Sequence, residues 1–204
     1  MITIIDYRMG NLGSIRNMFH RLGVQARVAS DIDAVRSADR LMLPGVGHFS
    51  NGAKQFEASG LREVLDEKVL KGGTPLLGIC VGHQLLGAGS EEGDGAGLGW
   101  IAGQCVRFRP RDGSKVPQMG WNYVRATCSH PVLSDLGDVP RFYFANSFWL
   151  KAERRDQVLV ESQYGEERFT AGVMRDNIVG FQFHPEKSHR FGMRLLENFA
   201  RWKP

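Results

Sequence analysis

An α/β protein built on a doubly wound, mostly parallel central sheet is what this sequence predicts, and three observations carry that expectation. The first half alternates short apolar runs with amphipathic stretches in the order strand, helix, strand, helix, strand, helix, strand. That order belongs to parallel strands joined by crossover helices. The apolar runs are continuous rather than alternating, as in Ile2-Thr3-Ile4-Ile5 and Pro75-Leu76-Leu77-Gly78-Ile79, which suits strands covered on both faces. Beyond Ser90 the character changes to β-rich runs with a hairpin signal at Asp176-Asn177. An additional antiparallel region is therefore expected in the C-terminal half.

Taken in order, residues 2–6 form a buried strand ending in Asp6, followed by a glycine-bearing turn at Met9-Gly10-Asn11. Leu12, Ile15, Met18, Phe19 and Leu22 make a helical stripe over 11–22, stopped by Gly23. A second strand over 24–29, a short helix over 31–37 and a third strand over 40–43 lead to Pro44-Gly45-Val46-Gly47. Residues 50–71 are helical in composition and close on Gly72-Gly73, before the apolar run 75–79. Residues 91–99, rich in glycine and acid, read as a loop. Strands are predicted over 104–109, 119–127, 141–151, 158–164, 169–175 and 178–183. An amphipathic helix over 190–202, through Phe191, Leu195, Leu196 and Phe199, closes the chain. With 204 residues and no repeat, low-complexity tract or linker, one domain over 1–204 is expected.

Composition narrows the function classes. A net charge of +4 without a long basic block makes no case for nucleic acid, although a mildly basic face suits an acidic protein partner. No apolar stretch approaches membrane-spanning length. Three cysteines without CxxC or CxxH spacing argue against a disulfide framework and a zinc site, and for a reducing compartment. The chain enters its first strand directly from Met1 without a charged leader, so a cytoplasmic protein is expected.

Two motifs carry chemistry. Gly78-Ile79-Cys80-Val81-Gly82 lies between an apolar strand and the helix-compatible stretch 81–86. A strand turning sharply into a helix exposes a nucleophile and needs bare neighbours on either side. It also sets the sulfur at a helix N-terminus, where partial positive charge favours thiolate over thiol. By itself the motif equally suits a buried structural cysteine. His184 ends the strand 178–183, and Glu186 is near enough to fix its tautomer. Cys80, His184 and Glu186 would then be nucleophile, general acid/base and orienting carboxylate. An isolated histidine at such a place more often has a core or surface role with no catalytic part.

Together, Pro44 to Gly47, Gly78 to Leu86 and His184-Pro185-Glu186 resemble the class I, or triad, glutamine amidotransferases. Asp6-Tyr7-Arg8-Met9-Gly10-Asn11-Leu12, Met119-Gly120-Trp121-Asn122, Tyr143-Phe144 and Lys187-Ser188 are similar to the HisH group within that family, the glutaminase subunits of imidazole glycerol phosphate synthases. The resemblance runs essentially end to end. It implies a flavodoxin-like sheet, hydrolysis of L-glutamine to glutamate and ammonia, no metal or organic cofactor, and a heterodimer with a HisF-like (βα)8-barrel synthase subunit. By position it implies that Gly45, Val46 and Gly47 lie along the substrate and supply an oxyanion donor. It implies that Gln84 and Glu92 hold the substrate's α-carboxylate and α-amino ends, and that Ser147 contacts its backbone. Trp121, Tyr143 and Lys187 match the face against the barrel; as bare residues, Trp121 and Tyr143 read as core. Cys105 and Cys128 are expected to be inert packing, and His20, His48, His130 and His189 match no catalytic role.

Three positions depart from the HisH pattern. His83 stands where methionine is more common, Gln118 where histidine precedes Met-Gly-Trp, and Asn146 where histidine precedes serine. The last two bear on the acceptor rather than on the glutaminase. The alternative is a paralogous subunit supplying ammonia for amidination of a bacterial surface sugar. A non-catalytic module on the same scaffold, or a Cys-His peptidase, are the readings from other classes. The intact triad residues speak against the first, and Gln84 with Glu92 against the second.

Overall fold

A computed structural model describes residues 1–204. The first half delivers the expected alternation: β1 (Ile2–Ile5), α1 (Leu12–Arg21), β2 (Ala26–Ala29), α2 (Ile32–Arg36), β3 (Arg40–Gly45) and α3 (Phe49–Ala58). α4 (Arg62–Leu65) then runs into a wider π-helical turn, Asp66–Lys71, before β4 (Leu76–Cys80) and α5 (Val81–Gln84). The long helix expected over 50–71 is thus interrupted at Gly60, whose φ of +66° ends α3. The strands of the second half are β5 (Gly103–Arg107), β6 (Gln118–Ala126), β7 (Arg141–Asn146), β8 (Phe148–Ala152), β9 (Val158–Tyr164), β10 (Glu167–Arg175) and β11 (Ile178–Phe181). α6 (His189–Arg201) ends the fold.

Nine strands form one sheet in the order β2-β1-β3-β4-β11-β10-β9-β6-β7. The pairs from β2 through β11 are parallel, and those from β11 through β7 antiparallel. β5 and β8 make a separate antiparallel pair. The continuous apolar runs are explained by position: every residue of β1 and β4 is buried, because helices cover both faces there. α1 packs with α6, α2 with α4 and α3 with α5. β6, by contrast, alternates, with Gln118 buried while Met119, Trp121 and Tyr123 face outward. The sheet passes from two-sided to one-sided cover along its width.

The strand expected over 141–151 is two strands in different sheets. The chain leaves the main sheet at Ser147, where the Phe108 N–H donates to the Ser147 carbonyl and the Asn146 side-chain amide donates to the Phe148 carbonyl at 2.9 Å. Asn146-Ser147 interrupts the apolar, β-forming run for only two residues, a weak turn signal by itself. The hairpin at Asp176-Asn177 is as expected, with Arg175 opposite Ile178 and Asp176 at φ +49°. Phe142 stacks on Phe183 at 3.9 Å between ring centroids, joining β7 to the segment that follows β11.

Candidate active site

Cys80 sits at the end of β4 with φ +52° and ψ −112°, a backbone region that non-glycine residues avoid. The turn holds that conformation because its neighbours are bare. A methyl group on Gly82 would overlap the Leu43 carbonyl oxygen, and one on Gly78 would come within 2.9 Å of the Gly82 carbonyl oxygen. Gly45 lies directly across from Cys80 in the β3–β4 register. A side chain there would meet the Tyr7 hydroxyl at 2.5 Å and Val81 Cβ at 2.8 Å. Thus β3 and the elbow touch through glycine.

The helix after Cys80 is a single turn, Val81–Gln84, shorter than the stretch expected from the sequence. One turn aligns few peptide dipoles, so the positive charge near the sulfur comes chiefly from elsewhere. His184 supplies it. The His184 N–H donates to the Tyr143 carbonyl, and Ser188 Oγ, which accepts from the Tyr143 N–H at 3.0 Å, donates to the His184 carbonyl at 2.6 Å. Both termini of this bend are therefore tied to β7. His184 Nδ1 meets Glu186 Oε1 at 2.7 Å, with both side chains 3% exposed, leaving Nε2 for Cys80. Burial by itself works against the imidazolium. Hydrogen bonds to Cys80 and Glu186, and the negative charge of each, outweigh it, and His184 is pushed up to about 10.

Gln182 was not singled out by the sequence, although it lies two residues before His184 and hence on the same side of an extended chain. Its Nε2 is 3.9 Å from Cys80 Sγ, and its Oε1 accepts from Gln84 Nε2 at 3.1 Å. Gln84 is buried; its Nε2 also reaches the Phe148 carbonyl at 3.1 Å, while Oε1 has no partner. Glu92 lies in the loop after Ser90, with Oε2 accepting from the Phe49 N–H at 2.7 Å and Oε1 3.3 Å from His48 Nδ1. His48, given no role by the sequence, is therefore its neighbour. Val46 and Gly47 are exposed beside the elbow, with Gly47 at φ +98°, and Ser147 is half-buried at the β7–β8 break.

Trp121, Tyr143 and Lys187 come together on the outer face of the antiparallel strands. Trp121 meets Tyr143 edge-on with centroids 6.4 Å apart, and Lys187 Nζ lies 5.6 Å from the Tyr143 ring centre. Arg141 and His189 flank Trp121. Trp121 is 42% exposed. The core reading of this tryptophan is thus incorrect, because β6 turns its odd-numbered side chains outward. Of the other cysteines, Cys105 is buried and burial pushes its thiol up. Cys128 is exposed, contrary to the expectation of packing, because it follows the end of β6 outside the core. No helix is long and apolar enough to cross a membrane.

The sequence profile described as "Glutamine amidotransferase class-I" matches residues 3–202. "Imidazole glycerol phosphate synthase subunit HisH 2" of Pseudomonas aeruginosa is 47% identical over 98% of both chains. The protein of the same name from Methanococcus maripaludis is 45% identical, over 98% of this chain and 99% of its own. "Imidazole glycerol phosphate synthase subunit HisH" of Bdellovibrio bacteriovorus is 42% identical, over 98% and 99%. Among solved structures, one described as glutamine amidotransferase superposes with a TM-score of 0.74 at 18% identity, over 98% of both chains, and so supports the fold. A strained strand-to-helix turn at Cys80 and a carboxylate-paired histidine at neighbouring strand ends, inside a chain matched almost end to end, lead to one conclusion: the chain belongs to the class I glutamine amidotransferase family, in its HisH branch.

Proposed function

We propose that this protein is the glutaminase subunit of an imidazole glycerol phosphate synthase. It hydrolyses L-glutamine through Cys80, His184 and Glu186 and passes the ammonia to a HisF-like (βα)8-barrel subunit in a cytoplasmic heterodimer. The observation that carries the reading is the buried, hydrogen-bonded set of Cys80, His184 and Glu186 at the carboxyl edge of β4 and β11, where ligands collect in open α/β sheets.

In the first step the Cys80 thiolate attacks the side-chain amide carbonyl of glutamine, and charge develops on its oxygen. Backbone N–H groups of the 45–47 loop and of Val81 are suited to hold that oxyanion. The His184 imidazolium gives its proton to the departing nitrogen, so neutral ammonia leaves and a γ-glutamyl thioester remains on Cys80. Water then attacks the thioester with His184 as base. Glutamate is released and the thiolate–imidazolium pair restored. Glu186, accepting from Nδ1, keeps Nε2 directed at the sulfur. Gln84, Glu92 and Ser147 are assigned to the amino-acid end of the substrate, Glu92 because an α-ammonium needs an anion. Trp121, Tyr143 and Lys187 are assigned to the barrel. Ammonia released into neutral water becomes mostly ammonium and loses its nucleophilic lone pair, which is the chemical reason for a docked acceptor.

Incubating the purified chain with glutamine should yield glutamate, and Cys80→Ala should yield none. Glutamate production unaffected by Cys80→Ala would defeat the proposal. A second reading keeps the glutaminase and changes the acceptor to a sugar-amidinating enzyme. It is favoured by Gln118 and Asn146, which face each other across β6 and β7, and by the two relatives named as a second HisH. Co-purification with a tagged histidine-pathway barrel subunit separates the readings: a stable complex supports the first, and its absence the second.

A further inference from the structure

The 45–47 loop is held at its far end by a carboxylate 43 residues away in sequence. The loop feeds directly into α3, whose first residue is Phe49 and whose N-cap is His48. Helix starts ordinarily satisfy their free N–H groups with a capping side chain, but His48 makes no such bond. Glu92 does so instead: its Oε2 accepts from the Phe49 N–H at 2.7 Å. Its Oε1 is turned to His48 Nδ1 at 3.3 Å, where the imidazole is 74% exposed while the carboxylate is 13% exposed. Glu92 is itself fixed from behind, its N–H donating to Ser90 Oγ at 3.0 Å. The neighbouring Glu91 accepts from the Arg107 N–H of β5 at 2.9 Å. One oxygen of this carboxylate thus secures the residue two positions beyond Gly47, and the other faces a displaceable surface side chain.

We propose that Glu92 is a positioning residue for the 45–47 loop, acting through the Phe49 N–H. This rests on the glutaminase reading and deepens it. A carboxylate has lone pairs for several donors, so Oε2 can retain Phe49 while Oε1 exchanges His48 for the α-ammonium of glutamine. Substrate recognition and placement of the oxyanion donors then depend on the same side chain. Loss of Glu92 frees the start of α3 and the loop before it, and the N–H groups are no longer preorganised where charge develops.

The test compares Glu92→Ala and Glu92→Gln, with glutamate formation measured against glutamine concentration. Glutamine at this position keeps a carbonyl acceptor for Phe49 but loses the charge. KM is expected to rise in both variants, while kcat falls about 10- to 100-fold in Glu92→Ala and clearly less in Glu92→Gln. A second readout uses 4-carbamoylbutanoate, which is glutamine without its α-amino group. Any turnover of it should still fall in Glu92→Ala, since the loop and not the ammonium is then at issue. Equal kcat in the two variants with glutamine overturns the proposal. Glutamate formation by the unaltered chain that is absent or indifferent to Cys80→Ala would instead remove the glutaminase reading beneath it.

Discussion

At the scale of single residues, two buried imidazoles illustrate how surroundings set protonation. His184 is hydrogen-bonded to Cys80 and Glu186 and is raised to about 10 despite burial. His83, three residues past Cys80, is fully buried with neither nitrogen partnered, and burial pushes it down to about 3. The two shifts lead to different predictions. Replacing Glu186 by glutamine removes the charge that orients and stabilises the imidazolium. Turnover should fall by roughly 10²- to 10⁴-fold, and the alkaline limb of kcat/KM should move to lower pH. An unchanged pH–rate profile would show that Glu186 does not act on His184. For His83 the folded state holds the neutral ring, whereas the unfolded chain takes up a proton near 6.5. Its contribution is therefore fully present above 6.5 and is lost as pH falls from there toward 3. His83→Met removes two unpartnered polar atoms and should raise stability by about 1–3 kcal/mol at neutral pH. It should raise it more at pH 5, as read by urea unfolding at the two pH values.

At the scale of elements, the elbow shows why a strand and a one-turn helix can sit so close. β3, β4 and α5 meet through Gly45, Gly78 and Gly82, and each marks a place where a side chain would strike a neighbouring element. Gly82→Ala should push the Leu43 carbonyl and α5 apart, costing about 1–3 kcal/mol of stability and displacing Cys80. The measurement is a denaturation midpoint beside a turnover assay, and a variant with both unaltered would contradict the contact. These glycines were legible in the sequence because elbow geometry is local. The β7–β8 break was not. Asn146-Ser147 interrupts the β-forming run 141–151 for only two residues, and it is pairing with β5, from a distant part of the chain, that draws Phe148–Ala152 into the second sheet.

At the scale of the whole molecule, the sheet's change of cover creates two distinct regions. Where helices flank both faces, the strand ends gather Gly45, Cys80 and His184. Where β6 and β7 lose their outer cover, Met119, Trp121 and Tyr123 stand exposed together. Trp121→Ala should leave stability within about 0.5 kcal/mol, as exposed substitutions do. It should weaken binding of the proposed barrel subunit by about 2 kcal/mol or more, measured by titration calorimetry. Unaltered affinity would place the docking face elsewhere. The outward direction of Trp121 could not be read from residue type, because a tryptophan followed by tyrosine two positions on fits a buried face as well as an exposed one.

By itself the sequence determined the order of elements, the strained turn that sets Cys80 at the end of β4, and the histidine with its carboxylate after β11, because each depends on a few consecutive residues. The tertiary structure alone decided that Gln182 meets the sulfur, that Glu92 secures the start of α3, and that the positive charge beside Cys80 comes from His184 more than from a short helix. Those contacts join segments 43 to 104 residues apart. Hydrogen bonds and charges act through space, and no local pattern of residues encodes which distant group will arrive there.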